Sequence, residues 1–392
     1  MFSMTMPAPR LALYVHWPFC RAKCPYCDFN SHVAAEIDHA RFAGAYRREL
    51  EYMAQAYGPG RRLDSIFFGG GTPSLMPAWL VEAIIADADR LFGLAPDIEI
   101  TAEANPTSAE AETFAGFRAA GVNRLSLGVQ SLRDEALAFL GREHSAREAL
   151  AALRTARQTF DRLSIDLIYA RQGQQLADWT GELQMALDLG LDHMSLYQLT
   201  IEPGTGFHSR ARRGDILTAD DTLTADMYAE TNRLMRAAGL PAYEISNHAR
   251  PGSECRHNMI YWQAEDWIGI GPGAHGRISN GTNRTGTATR RSPAGWLDAV
   301  DADGHGVETL IEDGPRDAVA ERLMMGLRLS DGIDIPALES AYGERSKLID
   351  MAAYDQLVAA GLLTADPDRL CVTEDGRLLL NRVIGALLAR QD

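Results

Sequence analysis

The chain has no apolar run of the roughly 18 residues that a membrane-spanning helix needs. Met1–Arg10 lacks the charged start and apolar stretch of a secretion signal, and predicts a short frayed leader on a cytoplasmic protein. Basic charge is also scarce: 38 Lys and Arg stand against 53 Asp and Glu, for a net charge of −15 and a pI near 5.1. Phosphate contacts favour a basic surface, so nucleic acid is not an expected partner. Cysteine is sparse and odd in number: five residues, three of them within eight positions. Such clustering without a secretion signal points to metal or cluster ligation rather than to disulfides. Internal repeats and low-complexity tracts are missing too. What remains is an ordinary folded composition, 46% apolar with a mean hydropathy of −0.18. A length of 392 residues allows two or three domains, or one barrel with an appendage.

Six short apolar runs predict buried strands: Leu11–Trp17, Ser65–Phe68, Ile98–Ala104, Arg124–Val129, Leu163–Tyr169 and His193–Leu199. Helical patterns alternate with them at Asp38–Ala56, Pro77–Leu91, Ser108–Ala119, Asp134–Leu140, Ala146–Thr159 and Leu176–Leu189. Regular alternation implies right-handed βαβ units and a parallel sheet. Six units are too few for an eight-fold barrel, so the expected fold is α/β, a partial (β/α)6 TIM-like barrel. Its chemistry should gather at the C-terminal strand ends. After Thr200 the pattern changes. Asp220–Ala238 reads as a helix, Ala242–Ile245 as a strand, and Gly281–Arg291 as a polar exposed loop or hairpin. From about Glu312 the chain reads as a small helical or winged-helix-like domain.

Cys20, Cys24 and Cys27 follow the first strand with the spacing Cys-x3-Cys-x2-Cys. Thiolates hold Fe–S clusters, usually four per cubane, so three would leave one iron open to another molecule. The rival reading is structural zinc, with His16, His32 or Cys255 as fourth ligand. Gly69-Gly70-Gly71-Thr72-Pro73 ends the second strand and either lets a ligand approach the backbone or only turns the chain. Glu103, Gln130 and Asp166 sit at the ends of, or within, the next three strands. They either contact a ligand or close an internal salt bridge, with Arg142 as partner. Arg142 offers a planar fork suited to a carboxylate. Cys255-Arg256-His257-Asn258-Met259-Ile260-Tyr261-Trp262 packs a thiol, an imidazole and two large aromatics together. That set suits a haem, or is a core histidine with aromatic packing. Cys371, in an apolar run, is expected to be an inert buried thiol.

Together, Tyr14-Val15-His16-Trp17-Pro18-Phe19-Cys20, Cys24-Pro25-Tyr26-Cys27-Asp28-Phe29, Gly69–Pro73, Glu103-Ala104-Asn105-Pro106, Gly128-Val129-Gln130-Ser131 and His257–Trp262 resemble the HemN/HemW branch of the radical S-adenosylmethionine (SAM) proteins. The likeness runs from Leu11 to about Leu388. It implies a barrel over 11–240, an extension carrying the His-Asn-x-x-Tyr-Trp motif over 241–310, and a C-terminal HemN-type domain over 311–392. It also implies a [4Fe–4S] cluster on Cys20, Cys24 and Cys27. Tyr14, Tyr26, Gly70, Gly71, Thr72, Glu103, Gln130, Arg142 and Asp166 would form the SAM site. His257, Tyr261 and Trp262 would bind haem, with Cys255 a weaker candidate. The branch holds a haem chaperone and an oxygen-independent coproporphyrinogen III dehydrogenase. The dehydrogenase carries a further cysteine two residues after the triad, where this chain has Phe29, and a longer N-terminal segment. The resemblance therefore implies a haem carrier serving acceptor proteins, respiratory membrane enzymes among them, with a homodimer as its assembly; whether it also catalyses is left open. One stretch departs from the branch: Ala170-Arg171-Gln172-Gly173-Gln174 stands where Gly-Leu-Pro-Gly-Gln is expected.

Overall fold

Leu11, Leu13, Val15 and Trp17 alternate along the first strand with Tyr14 and His16, so one face is wholly apolar. That face meets Phe42, Tyr46 and Leu50 of the helix His39–Tyr57. The same division recurs along the computed structural model, which describes residues 9–388. Most of the expected leader, residues 1–8, lies outside the described residues. Arg10 is not frayed, because its guanidinium is held by Glu265 at 2.7 Å.

The parallel strands are β1 (Leu11–Trp17), β2 (Leu63–Gly70), β3 (Leu94–Ala104), β4 (Arg124–Gln130), β5 (Arg162–Tyr169) and β6 (His193–Gln198). Helices cross between them, as the alternation predicts. The expected helix Ser108–Ala119 is two pieces, Ser108–Ala111 and Phe114–Ala119. Thr113 interrupts it by bonding through Oγ1 to the Glu110 carbonyl at 2.8 Å, an alternative to continued helix.

The sheet is larger than six strands. β7 (Asn247–Ala249) runs antiparallel to β6, and β8 (Asp266–Ile270) lies parallel to β1 on its other side. Beyond β8 come β9 (His275–Asn280), β10 (Asn283–Thr289) and β11 (Val307–Asp313), for an order β11-β10-β9-β8-β1-β2-β3-β4-β5-β6-β7. Two local expectations need correcting. Ala242–Ile245 is not a strand, because the Glu244 carboxylate accepts the backbone N–H groups of Ile245, Ser246 and Asn247 and turns the chain there. Of the two readings of Gly281–Arg291 the hairpin holds and the exposed loop does not: β10 turns back on β9 through Gly281 and Thr282, pairs also with β11, and buries Arg284, Thr285, Thr287 and Thr289.

The C-terminal module has its own core, in which Leu323, Leu327, Leu338, Leu363 and Val383 pack around the short pair Ile333–Asp334 and Arg369–Leu370. Cys371 is half-buried there and donates from Sγ to the Ser330 carbonyl at 3.0 Å. No described helix is long and apolar enough to cross a membrane.

Candidate active site

β1 feeds straight into the cysteine loop. Cys20 N–H bonds His32 O at 2.9 Å and Cys27 N–H bonds Cys24 O at 3.2 Å, which closes the loop over the C-terminal ends of the strands. The glycine loop after β2 is stitched to it: Gly71 N–H donates to Trp17 O at 2.7 Å and Thr72 N–H to Phe19 O at 2.8 Å. A Cβ on Gly71 would lie 2.6 Å from the Phe19 carbonyl oxygen, so only glycine admits this approach. Gly70, at φ 110°, has the His16 ring 2.6 Å from where a Cβ would be. The amides of this loop are thus spent within the fold, and its carbonyls are what it can offer a ligand.

These loops enclose a cavity of about 150 Å³ that brings together Cys20, Cys24, Cys27, Tyr26, Gly70, Gly71, Thr72, Glu103, Gln130, Arg142 and Asp166. Of the expected SAM-site residues, Tyr14 alone is absent from its lining. It sits deeper on β1, with its hydroxyl 3.1 Å from His16 Nδ1, while His16 Nε2 holds Asn30 O at 2.9 Å. Tyr14 therefore supports the wall through His16. Gln130 reaches the cavity from a left-handed backbone, φ 66°, where the β4–β5 register shifts. A second hollow of about 500 Å³ adjoins, sharing Tyr26, Cys27, Glu103, Gln130 and Asp166 and adding Tyr169, Leu196 and Tyr197.

Arg142 organises one side. Its Nη1 donates to Cys24 Sγ at 3.4 Å, and its Nη2 to Asn105 Oδ1 at 2.5 Å and Gly128 O at 2.9 Å. Its Nε is buried without a partner, a donor free for an anionic ligand. Thr72 Oγ1 donates to Cys20 Sγ at 3.4 Å. Asn105, which the sequence reading left unassigned, links the two through Nδ2 to Thr72 Oγ1 at 3.1 Å. It belongs to the quoted Glu-Ala-Asn-Pro stretch, so the motif carried the signal. Burial pushes the Cys20 and Cys27 thiols up. Burial, then the neighbouring Asp166 charge, raises Glu103 to about 8, against an opposing Gly70 N–H. Asp166 is raised by burial, and accepts from Ser126 Oγ at 3.3 Å rather than pairing with Arg142.

Zinc fits poorly. Cys255 lies far from the triad, fully buried with Sγ 3.5 Å from Glu99 Oε1, and burial raises it to about 12. Three thiols around a shared hollow, two of them with donors aimed at sulfur, suit a larger cluster.

The His257 stretch forms the helix Arg256–Trp262, packed against β2 rather than at the cysteine loop. His257 is 1% exposed, and both ring nitrogens are engaged, Nδ1 with Ser65 Oγ at 2.9 Å and Nε2 with Tyr261 Oη at 2.7 Å. Burial lowers it to about 3, so the ring is neutral. In this arrangement both imidazole nitrogens of His257 are taken, one of them by Tyr261, while Trp262 faces a separate cavity.

The fold and the cavity define a radical SAM protein. The Radical SAM superfamily model matches residues 14–186, and the HemN C-terminal domain model matches 314–379. Heme chaperone HemW of Escherichia coli (strain K12) is 38% identical over 385 residues, covering 97% of this chain and 99% of its own. The mitochondrial radical S-adenosyl methionine domain-containing protein 1 of Bos taurus is 39% identical over 396 residues, covering 98% and 89%. The solved coproporphyrinogen III oxidase (HemN) of Escherichia coli superposes with a TM-score of 0.82 at 23% identity, over 97% of this chain and 90% of that one, and shares the fold. The chain belongs to the HemW family of radical SAM proteins. Radical SAM proteins carry a [4Fe–4S] cluster and SAM.

Proposed function

We propose that this chain binds haem and passes it to acceptor proteins, and that it holds a [4Fe–4S] cluster on Cys20, Cys24 and Cys27 with SAM in the adjoining cavity. The observation that carries the reading is the end-to-end relationship to Heme chaperone HemW, over 97% of this chain and 99% of that one. Phe29, 57% exposed beside the cavity, stands at the position where the dehydrogenase arm carries a further cysteine.

Cluster and SAM together supply one-electron chemistry at the sulfonium when bound. This chain's own residues then have simpler tasks. Arg142, with its unpartnered Nε, orients a carboxylate, and the glycine-loop carbonyls accept from an amino group. Glu103, Gln130 and Asp166 present polar atoms to the rest of the ligand, and Tyr26 offers a ring face for the adenine. The acceptors are haem proteins, including those of respiratory membranes, met at the membrane surface; a homodimer is the proposed assembly.

The test uses anaerobically reconstituted protein loaded with haem and mixed with an apo-haem protein. Saturable haem binding and transfer to the acceptor are expected. Catalytic formation of protoporphyrinogen IX from coproporphyrinogen III, with SAM and reductant, would overturn the reading in favour of a dehydrogenase.

A further inference from the structure

We propose that haem occupies the cavity between the helix Arg256–Trp262 and the C-terminal module, with the Met259 thioether, not the His257 imidazole, facing the iron. The inference rests on the haem-binding reading above. The cavity measures about 660 Å³. Cofactor sites commonly fall at roughly 300–1,000 Å³.

The short helix divides its side chains between two neighbours. His257 and Ile260 are buried toward β2, where both imidazole nitrogens already have partners. Met259 and Trp262 turn the other way and line the cavity. Leu329, Ile333 and Ala337 of the C-terminal module form the facing wall. An aromatic plane on one side and aliphatic groups on the other suit a flat apolar macrocycle.

The polar groups also fit. A haem carries two propionates, and two arginines line the cavity, Arg322 and Arg369. Arg322 Nε is buried without a partner. Four acids share the lining: Glu265 pairs with Arg10 at 2.7 Å, Asp334 lies 3.8 Å from Arg369, Glu254 accepts Gly252 N–H at 2.9 Å, and the Asp331 carbonyl accepts Arg369 Nε at 2.9 Å, which leaves Arg322 as the arginine for a propionate. A neutral thioether is a known axial ligand to haem iron, and it carries no proton that must leave first. As sole protein ligand it is also a weak hold, which suits a carrier that must give its cargo up. Since one wall belongs to the module, separating module from helix uncovers the haem.

The experiment is a haem titration of cluster-loaded protein, followed by absorption spectroscopy. Met259→Leu keeps volume and apolar character but removes the sulfur; Ala337→Trp fills the cavity from the module side. Iron and sulfide content should match wild type in both, since neither residue lies near the cysteines. We expect a displaced Soret band for Met259→Leu, and binding weakened about tenfold or more in each variant, a tenfold loss being about 1.4 kcal/mol. Titration of both variants with wild-type affinity and spectrum would place the haem elsewhere and sink the inference while leaving the haem-binding reading intact. No saturable binding by the wild-type chain would instead remove that reading itself.

Discussion

Arg171 and Glu182 form a buried ion pair, Nη2 to Oε2 at 2.8 Å, that ties the loop after β5 to the helix Leu176–Leu187. The other carboxylate oxygen of Glu182 accepts Ser131 Oγ and, at 2.8 Å, Leu132 N–H, so the turn directly after Gln130 hangs on the same pair. Arg171 Nη1 also bonds Ile168 O at 2.7 Å. The loop that departs from the family pattern is therefore a brace beside the cavity proposed for SAM.

Removing one partner of a buried pair strands the other charge. Arg171→Ala should cost about 3–5 kcal/mol, read by denaturant unfolding. SAM affinity, measured by equilibrium dialysis, should fall with it as Gln130 loses its support. The double variant Arg171→Met/Glu182→Met removes both charges but also the acceptor of Leu132 N–H, so it should recover part of the stability rather than all of it. Equal losses in the single and double variants would rule out the brace.

Ala170 holds a left-handed backbone, φ 60°, where the family pattern has glycine. A Cβ in that region is strained. Ala170→Gly should therefore raise stability by a net amount of up to about 1 kcal/mol, strain relief outweighing the extra chain entropy. A lower melting temperature for the variant would contradict this.

Glu49 is buried and accepts Gly271 N–H at 2.8 Å, Gly306 N–H at 2.7 Å and Trp296 Nε1–H at 3.0 Å. Burial nonetheless raises it from 4.5 to about 7, the three donors opposing. The folded state then holds a proton that the unfolded chain releases. Stability is greatest below 4.5 and declines as pH rises through about 7. A shift of that size corresponds to about 3 kcal/mol across the window. Glu49→Gln should flatten this part of the pH–stability curve, followed by thermal melts. An unchanged slope would assign the titration to another group.

Arg142→Lys keeps a positive charge but loses the fork that spans Cys24, Asn105 and Gly128. Iron content should stay at the wild-type level while SAM binding weakens about tenfold, near 1.4 kcal/mol. Loss of the cluster itself would recast Arg142 as a cluster support.

The barrel was legible because its strands are apolar on the helix-facing side and its motifs fall at strand ends. Leu11–Trp17 and Ala146–Thr159 coincide with the expected bounds. The outer strands were hidden by composition. Asn283–Thr289 is polar and rich in threonine, which left exposed loop and hairpin both open, and pairing on both sides buries it. Most of the cavity residues were readable because they sit in motifs at strand ends; Arg142, after the helix Asp134–Phe139, was readable by its chemistry. Tyr14 entered through the resemblance alone, and the structure sets it behind the cavity lining, bonded to His16. His257 was recognised as special, but the sequence could not say that Ser65, distant in the chain, would take its Nδ1.

β1 lies between β2 and β8, so Leu11 faces Leu63 on one side and Asp266 on the other. The first described strand is thus completed by one that follows the whole six-strand parallel run. Pairing across so long a stretch of chain is slow to form, and until Asp266 has emerged from the ribosome one whole backbone edge of Leu11–Val15 is bare. A chain shortened before β8 would leave that edge of β1 unpaired, so β8 is the strand that caps it.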